Sequence, residues 1–516
     1  MTQHPKPLFG AWRRPALLGA VGIAVAYFVV VTWLCALEYR CFFYGFDLAW
    51  YGNLLASGSG KWPLYSTLHQ SWLGDHFEPI GALLVPVFHL FPTVWTLLLV
   101  QNLAFASVPL LCFLLAAELF EDDRQALLIA LLSVANPALW YINLDNFHWT
   151  VVTIPLTIGY FLALERRRSG WAWVSLGVML LGKEDAALLV VPLCVAHFAT
   201  FGRLRPVLRA AGGAVALFLI LNLWVMPALG SPAPVGGWGY LGGSVGEIGV
   251  TLLTRPGVLG EHLFTATNAE YLVELLLPFC FASLLDWRLW LAAPVAMTFA
   301  LSTHLPRHTV ASQSAAMVVA CVIVSGVYGL RRLASWLPGS WRGAQPRTVL
   351  LAGVLAVAVA FFARPLPPIV ASRPYVALLR GGPSLWTSAQ LCPERTRLET
   401  ILALIPTDPE VAVAAEGRLA TRLVDHAWLQ VYNWRAQPAS DYREFAVVVG
   451  SHRAGAEAPR RPRKRRRLSP DARWSMLMAD PRWEQIFTDA SGYFVLRNRN
   501  PEPAARRARP AAEGPE

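Results

Sequence analysis

The stretch PALLGAVGIAVAYFVVVTWLCAL (residues 15–37) contains no charged residue and is long enough to cross a membrane as one helix. Similar apolar runs recur along the chain, which is 55% hydrophobic, only 15% charged and has a mean hydropathy of +0.43. A soluble protein of this length would carry about 25% charged residues. Backbone groups in lipid must be hydrogen-bonded within their own segment, so continuous apolar runs predict helices rather than barrel strands. The chain is therefore predicted to be an all-α polytopic membrane protein.

The apolar runs predict about eleven transmembrane helices. Their approximate ranges are 15–37, 93–118, 124–141, 148–165, 171–183, 186–201, 206–228, 269–285, 288–302, 310–330 and 347–363. The helices at 171–183 and 186–201 are short, and only Glu184 and Asp185 separate them. The segment 79–91 is too short to cross and is predicted to be interfacial or partly embedded. We expect the first run to be an uncleaved anchor, because no small-residue cleavage site follows it.

Lysine and arginine residues predict the orientation. If the N-terminus is cytoplasmic, the inner loops hold fifteen of these residues and the outer loops hold five. Positive residues accumulate in cytoplasmic loops, so this asymmetry favours a cytoplasmic N-terminus. Eleven crossings then place the region after about residue 364 outside the cytoplasm.

That C-terminal region changes character and is predicted to be a small extracytoplasmic α/β domain. Short β patterns occur at 411–415, 429–434, 445–450, 484–489 and 493–498. We predict a transmembrane domain over 1–364 with an outer loop at 38–92. The α/β domain occupies 365–451 and 471–498, and the charged, Pro- and Ala-rich segments 452–470 and 499–516 are predicted to be disordered. The basic run at 459–467 accompanies no nucleic-acid-binding signature, so no nucleic-acid partner is predicted.

The seven cysteines show no metal-ligand spacing. Five lie within apolar runs, and Cys41 and Cys392 stand alone in polar segments. We expect all of them to act as small packing residues.

Ionisable residues collect in the predicted outer loops. They are Asp47, Asp75, His76, Glu78, Asp145, His148, Lys183, Glu184, Asp185, His304, Arg307 and His308. Such groups are costly at membrane depth and indicate a functional site.

Local roles are also open for these residues. Asp47 fits a helix N-cap, and Asp75 fits a turn. Glu78 before a proline fits a solvated acid at a helix start, and Lys183 fits an ion pair with a neighbouring carboxylate. His148, His304 and His308 also fit interfacial residues.

One chemistry that needs this arrangement is the transfer of a sugar from a lipid-linked phosphate. A carboxylate base deprotonates the acceptor, and cations stabilise the departing phosphate. Asp47 is the candidate base. The candidate substrate- and phosphate-binding residues are Asp75, His76, His148, Lys183, Glu184, Asp185, Arg307 and His308. A divalent metal ion is a candidate cofactor, with Asp47, Asp75 and His76 as its candidate ligands.

The motifs FDLAWYGNLL (46–55), LGDHFEP (73–79), NFHW (146–149), GKEDAALL (182–189) and IPTDPEVAVA (405–414) resemble the DUF2079 family of bacterial membrane proteins. That family in turn resembles the GT-C superfamily of glycosyltransferases. The resemblance implies a GT-C-like fold, a bacterial plasma membrane location and a catalytic carboxylate in the first outer loop, where Asp47 matches. Glu78 stands where relatives usually carry serine, so we assign it no shared role.

The predicted function is therefore an inverting membrane glycosyltransferase that uses a polyprenyl-phosphate sugar at the outer face of the membrane. Two alternatives stay open. A transporter or lipid-handling protein would place ionisable groups near mid-membrane. A non-catalytic scaffold of the cell envelope would use the outer domain to bind a partner.

Overall fold

The computed structural model describes residues 14–57, 73, 76–229, 237–337, 344–362, 391–408, 411–426, 429–432, 445–451, 477–490 and 492–501. The chain forms two compact units. The helical unit contains the described parts of 1–36, 71–82 and 98–372. The α/β unit contains the described parts of 37–70, 83–97 and 373–516.

Helices dominate the chain. In order they are α1 (Arg14–Arg40), α2 (Phe46–Ser57), α3 (Val85–Leu90), α4 (Val94–Phe120), α5 (Asp123–Val134), α6 (Pro137–Asn143), α7 (Thr153–Glu165), α8 (Ser169–Gly182), α9 (Ala187–Phe201), α10 (Leu204–Ile220), α11 (Met226–Ala228), α12 (Val245–Thr254), α13 (Pro256–Leu263), α14 (Ala266–Leu276), α15 (Ala293–Ala300), α16 (Ala316–Ser335), α17 (Ala344–Phe362), α18 (Arg395–Leu402) and α19 (Gly417–Ala420). Short 3-10 turns cover Pro79–Leu84, Trp149–Val152, Glu184–Ala186, Leu277–Phe279, Ala282–Leu285, Trp287–Ala292, Leu305–His308 and Gln313–Ala315. A π-helical turn, Leu221–Val225, joins α10 to α11.

Six helices among the described residues are long and apolar enough to cross a membrane. They are Pro15–Arg40, Val94–Phe120, Glu184–Phe201, Leu204–Ala228, Gln313–Ser335 and Gln345–Phe362. The pair α5 and α6 would add a seventh crossing, bent by 48°. The expectation of a multi-pass membrane protein is therefore confirmed, and the number eleven stays a prediction.

The predicted span 269–285 is not one helix. α14 ends at Leu276, and a 3-10 turn containing Pro278 follows. Cys280 and Phe281 then take positive φ values of 46° and 60°, which turn the chain away from the helix axis. Proline removes a helical hydrogen bond and clashes with the preceding turn, so the sequence carries a local reason for this break.

The predicted span 288–302 also differs. Its first part is the 3-10 turn Trp287–Ala292, and its second part is the short helix α15. The neighbouring helix α16 is almost wholly buried and packs against the broken region. A Cβ atom at Gly326 would meet the Phe279 ring, and one at Gly329 would meet the backbone of Ala282. Glycine therefore permits a close approach at both positions.

The α/β unit contains a five-stranded sheet, and all five predicted strands are confirmed. The strands are β1 (Val413–Glu416), β2 (Leu429–Tyr432), β3 (Val447–Ser451), β4 (Trp483–Thr488) and β5 (Tyr493–Asn498). Their spatial order is β2-β1-β3-β5-β4. β1 runs parallel to β2 and β3, whereas β5 runs antiparallel to β3 and β4. Apolar residues of β1, β3 and β5 form the core with α18 and α19. The segment 452–470 and residues 502–516 of the segment 499–516, both predicted to be disordered, lie outside the described residues. Residues 499–501 are described, and the Arg499 N–H donates to the Arg482 carbonyl at 2.8 Å.

Candidate functional site

The Glu184 carboxylate joins two loops of the helical unit. Its Oε1 lies 3.0 Å from Nδ1 of His76, and its Oε2 accepts a hydrogen bond of 2.9 Å from the backbone N–H of Phe77. The Glu184 side chain is only 10% exposed, so its charge requires such partners. The fold thus brings the LGDHFEP motif and the GKEDAALL motif together.

Lys183 lies where the two short helices α8 and α9 meet. Its backbone is extended, with φ −172° and ψ 151°, so the helix ends at Gly182. The Lys183 carbonyl accepts a hydrogen bond of 3.1 Å from Ala186, which closes the following turn. Because the chain turns here, the Lys183 ammonium reaches Asp185 Oδ2 at 3.8 Å. The predicted self-contained ion pair is present, and it lies in the same turn as Glu184.

Glu78 also belongs to this group, against our expectation. The residue is 1% exposed, so the idea of a solvated acid at a helix start is wrong. Its charge interacts with both His76 and Lys183. The sequence did hold a signal, because three charged groups in one short stretch are unusual in such an apolar chain.

His76, Glu78, Lys183, Glu184 and Asp185 form a charged cluster. Its carboxylates keep His76 and Lys183 positively charged. Partial burial and the Lys183 ammonium lower the pKa of His76, but Glu184 and Glu78 outweigh them and raise it to about 9. The ring is therefore protonated at neutral pH. Burial lowers the pKa of Lys183, but three neighbouring carboxylates have the larger effect and raise it above its ordinary value.

Arg307 adds a third cation, from the 3-10 turn Leu305–His308. Its charge interacts with Lys183 and Asp185. The guanidinium carbon lies 4.2 Å from the centre of the Trp238 ring, and Nη1 donates to Ser302 Oγ at 3.4 Å. Within the part of the chain that the structure describes, Arg307 forms no ion pair. Its charge is therefore available to an external anion.

His308 supports this loop. Its Nδ1 lies 2.7 Å from Asn268 Oδ1, and its Nε2 lies 2.6 Å from the Ser302 carbonyl oxygen. The amide nitrogen of Asn268 faces three backbone carbonyls, which fixes its oxygen toward the histidine. Both ring nitrogens are thus engaged by the protein. Direct contact between His308 and a substrate stays a prediction.

His148 lies beside the cluster through its neighbour Trp149. Its backbone N–H donates to Gln101 Oε1 at 3.3 Å. The Trp149 indole nitrogen would be 3.2 Å from a Cβ atom at Gly81, and the Trp149 carbonyl would be 3.7 Å from one at Gly182. The NFHW motif therefore packs against the segments that carry Glu78 and Lys183. A direct role for His148 stays a prediction.

The α/β unit carries Asp47, in the first turn of α2. The helix begins at Phe46, so Asp47 is inside it and is not the N-cap residue. Asp47 is half-buried. Asp75 lies outside the described residues, and its predicted role is untested.

Close backbone packing holds α2 within the α/β unit. A Cβ atom at Gly417 would lie 2.5 Å from the Phe46 nitrogen, and one at Gly52 would lie 2.8 Å from the Val424 side chain. Asn53, which is 2% exposed, donates to the His426 carbonyl at 3.2 Å. The helix that carries Asp47 is therefore fixed by the turn that follows β1.

A disulfide and a cation–π contact hold the chain that leads into α2. Cys41 and Cys392 form a disulfide, so the expectation that they only pack is wrong. The Arg422 guanidinium lies 3.5 Å from the centre of the Tyr39 ring and donates to the Tyr39 carbonyl at 2.8 Å. Two lone cysteines in polar segments on one predicted side of the membrane were the available signal for the bond.

No metal centre is apparent among the described residues, where no three His, Cys, Asp or Glu side chains are placed to hold an ion. Two of the predicted metal ligands, Asp47 and His76, belong to different units, and the third, Asp75, is outside the described part. The divalent metal ion stays a prediction.

Sequence reasoning missed three residues that shape the site. They are Trp238, Asn268 and Ser302. Trp238 lies in the glycine-rich stretch GGWGYLGG (236–243), and a lone tryptophan among glycines could have been selected as a candidate site residue. No local signal distinguishes Asn268, because its partners Ala300 and His308 are distant in sequence. Ser302 lies only two to six residues from its partners, at the start of the stretch STHLPRH (302–308), so it was detectable.

These features define a multi-pass membrane protein with a charged cluster at the ends of its apolar helices. The model of the DUF2079 family, described as a predicted membrane protein, matches residues 39–493, and the chain belongs to this family.

Solved structures of ArnT from Cupriavidus metallidurans are similar to the chain. One, bound to undecaprenyl phosphate, has 16% sequence identity and a TM-score of 0.46, with 96% of this chain and 99% of that chain covered. Another, in the apo state, has 17% identity and a TM-score of 0.46, with coverage of 92% and 97%. Comparison with curated proteins finds no significant match.

Proposed function

We propose that this chain is a membrane glycosyltransferase that takes a sugar from a polyprenyl-phosphate donor at the outer face of a bacterial plasma membrane. The observation that carries the proposal is the cluster of His76, Lys183 and Arg307. Three cations from three loops meet at the ends of apolar helices, where a lipid phosphate would lie. Charged groups are expensive there, and they are retained where a ligand or reaction needs them.

The cluster is suited to a phosphate leaving group. Two of its cations are paired with carboxylates, which hold them in place but offset much of their charge. Arg307 is without such a partner among the described residues, and a guanidinium binds phosphate oxygens with two parallel hydrogen bonds. The charge that develops on phosphate as the sugar leaves would be stabilised by these preorganised donors.

Asp47 is proposed as the general base. In the reaction, an acceptor hydroxyl oxygen bonds to the anomeric carbon, and the bond from that carbon to the phosphate oxygen breaks. The electron pair of that bond stays on the phosphate, and the hydroxyl proton passes to the Asp47 carboxylate. This assignment follows from the family resemblance, in which a carboxylate of the first outer loop is catalytic.

The Cys41–Cys392 disulfide supports the proposed orientation. Disulfides persist in oxidising compartments and are rare in the cytosol. The bond favours an extracytoplasmic α/β unit, in agreement with the distribution of lysine and arginine. A thiol-reactive reagent that cannot cross membranes, applied to intact cells after reduction, should label both cysteines from outside.

Phosphate recognition can be tested by binding. Purified full-length protein in nanodiscs would be titrated with undecaprenyl phosphate, with wild type beside Arg307→Gln. Loss of one charged hydrogen-bond donor costs about 1.5–3 kcal/mol, so affinity should fall by about tenfold or more. Arg331→Gln is the matched control, because Arg331 is exposed on α16. Equal affinity for the two variants would remove Arg307 from the phosphate site.

Catalysis needs a separate readout. The same preparations would be incubated with a panel of radiolabelled polyprenyl-phosphate sugars and cell-envelope extracts as acceptor. Asp47→Asn should abolish transfer and leave undecaprenyl phosphate binding unchanged. Asp123→Asn, in the first turn of α5, is the matched control. Transfer by Asp47→Asn at the wild-type rate would exclude Asp47 as the base.

A further inference from the structure

Helices α12 and α13 present a row of exposed apolar side chains that the predicted spans did not include. Val250 is 60% exposed, Leu253 is 85% exposed and Phe264, directly after α13, is 90% exposed. Val250 and Leu253 are three residues apart and share one face of α12. Burying a large apolar side chain gains about 1.5–3 kcal/mol, so contact of this row with an apolar neighbour would be strongly favourable.

We propose that α12 and α13 lie in the interfacial layer of the lipid bilayer, with Val250, Leu253 and Phe264 inserted among the acyl chains. A helix that lies in this layer buries its apolar side chains just below the headgroups. Arg255, between the two helices, is exposed and can extend its guanidinium to the lipid phosphates.

Two neighbouring features support lipid as the occupant. The next helix, α14, exposes Leu272 and Val273, so the apolar surface continues beyond Phe264. Tyr240 is 38% exposed and stacks on His262 of α13, with ring centres 4.1 Å apart. Tyrosine is enriched at the boundary between headgroups and acyl chains.

The helix pair is also tied to the charged cluster. The Asn268 side chain donates to the carbonyls of His262 and Leu263 at the end of α13, and its oxygen faces His308. An interfacial α13 would thus set the loop of Arg307 at headgroup depth. That consequence matters for catalysis only if the proposed function holds, whereas the position of the helices in the bilayer does not depend on it.

The test is fluorescence quenching in proteoliposomes of phosphatidylcholine and phosphatidylglycerol. Full-length Leu253→Cys and Phe264→Cys proteins, in a Cys280→Ser background, would carry an environment-sensitive fluorophore. Quenchers would be a lipid with a nitroxide near the headgroup, a lipid with a nitroxide deep in the acyl chain, and aqueous iodide. Leu103→Cys on α4, where the side chain is 66% exposed, is the acyl-chain control. Glu484→Cys on β4 is the aqueous control.

We expect the shallow nitroxide to quench the labels at 253 and 264 at least about threefold more than it quenches the label at 484, with iodide showing the reverse order. Iodide quenching equal to that of the aqueous control would overturn the proposal. So would shallow quenching that disappears as protein is diluted with lipid, because a second copy would then cover the row. Failure of both cysteine variants to fold would mean that these side chains pack on protein, which also contradicts it.

Discussion

Replacing Gly417 with alanine should release the helix that carries Asp47. The new Cβ atom would lie 2.5 Å from the Phe46 nitrogen, 2.7 Å from the Phe46 Cα and 3.0 Å from the Gly45 carbonyl carbon. All three are backbone atoms, so no side chain can rotate away. Relief requires the start of α2 to move.

The magnitude follows from this packing. Forcing extra atoms into a close-packed contact costs about 1–3 kcal/mol, and a backbone clash belongs at the upper end. Alanine also lowers the conformational entropy of the unfolded chain, which stabilises the folded state by about 0.4–1 kcal/mol. The disulfide and the Arg422–Tyr39 contact hold the same segment, so it cannot shift freely. The net loss is about 2 kcal/mol, which raises the open population of α2 by about thirtyfold.

Hydrogen exchange of the α2 amides measures this opening directly. Exchange in residues 48–55 should accelerate by about thirtyfold in Gly417→Ala, and sugar transfer should fall if Asp47 is the base. Gly353→Ala is the matched control, because among the described residues no atom beyond its own stretch of helix lies within 4 Å of a Cβ there. Unchanged α2 exchange in Gly417→Ala would refute the close contact between α19 and α2.

Three further predictions concern other contacts. The raised pKa of His76, about 9, means that its pairing with Glu184 stabilises the fold fully below pH 6.5. This stabilisation fades as the pH rises to about 9, so the melting temperature should fall across that range in wild type and change less in Glu184→Gln. Replacing Cys41 and Cys392 with serine should lower the melting temperature, as should a reducing agent on wild type. The loop-closure entropy of the disulfide corresponds to about 6 kcal/mol of unfolding free energy. The loss should be smaller than this, because helices inserted in the membrane already restrict the unfolded chain. Gly329→Ala should destabilise the helical unit by about 1–3 kcal/mol, because the methyl group would meet a backbone carbonyl, and a lower temperature of thermal aggregation would report the loss.

Local patterns predicted the elements of this fold well. The apolar run 93–118 became Val94–Phe120, and the pattern at 493–498 became the strand Tyr493–Asn498. Both patterns reflect the surroundings of each segment, which are apolar along a helix long enough to cross a membrane and are the protein interior for the largely buried strand. Such information is contained in a short window of sequence. The break after α14 also had a local signal, Pro278. It was missed because the predicted spans were assigned from the length and composition of apolar runs, in which a single proline changes little.

Contacts between distant segments were not predictable in the same way. Cys41 and Cys392 are separated by 351 residues, and their pairing depends on the whole path of the chain between them. Gly417 is an ordinary glycine in sequence, and only the approach of Phe46 gives it a role. For such residues, the controlling atom lies on another element whose position no local pattern encodes.

The charged cluster was predictable in part: its residues could be selected from the sequence, but their contacts could not. Scarcity of charge made Lys183, Glu184 and His76 conspicuous, and the orientation rule placed them on one side of the membrane. Their pairing was not predictable, because it depends on which loops are neighbours. Glu78 illustrates this limit. It lies in the same stretch as His76 and is buried, but its place before a proline and the family resemblance both argued against a role in the site. Three carboxylates near three cations leave the group close to neutral without a ligand. Arg307 is set apart because its guanidinium lies over the Trp238 ring and, within the described residues, forms no ion pair. Under the proposed function, it is therefore the position at which the cluster would accept an anionic ligand.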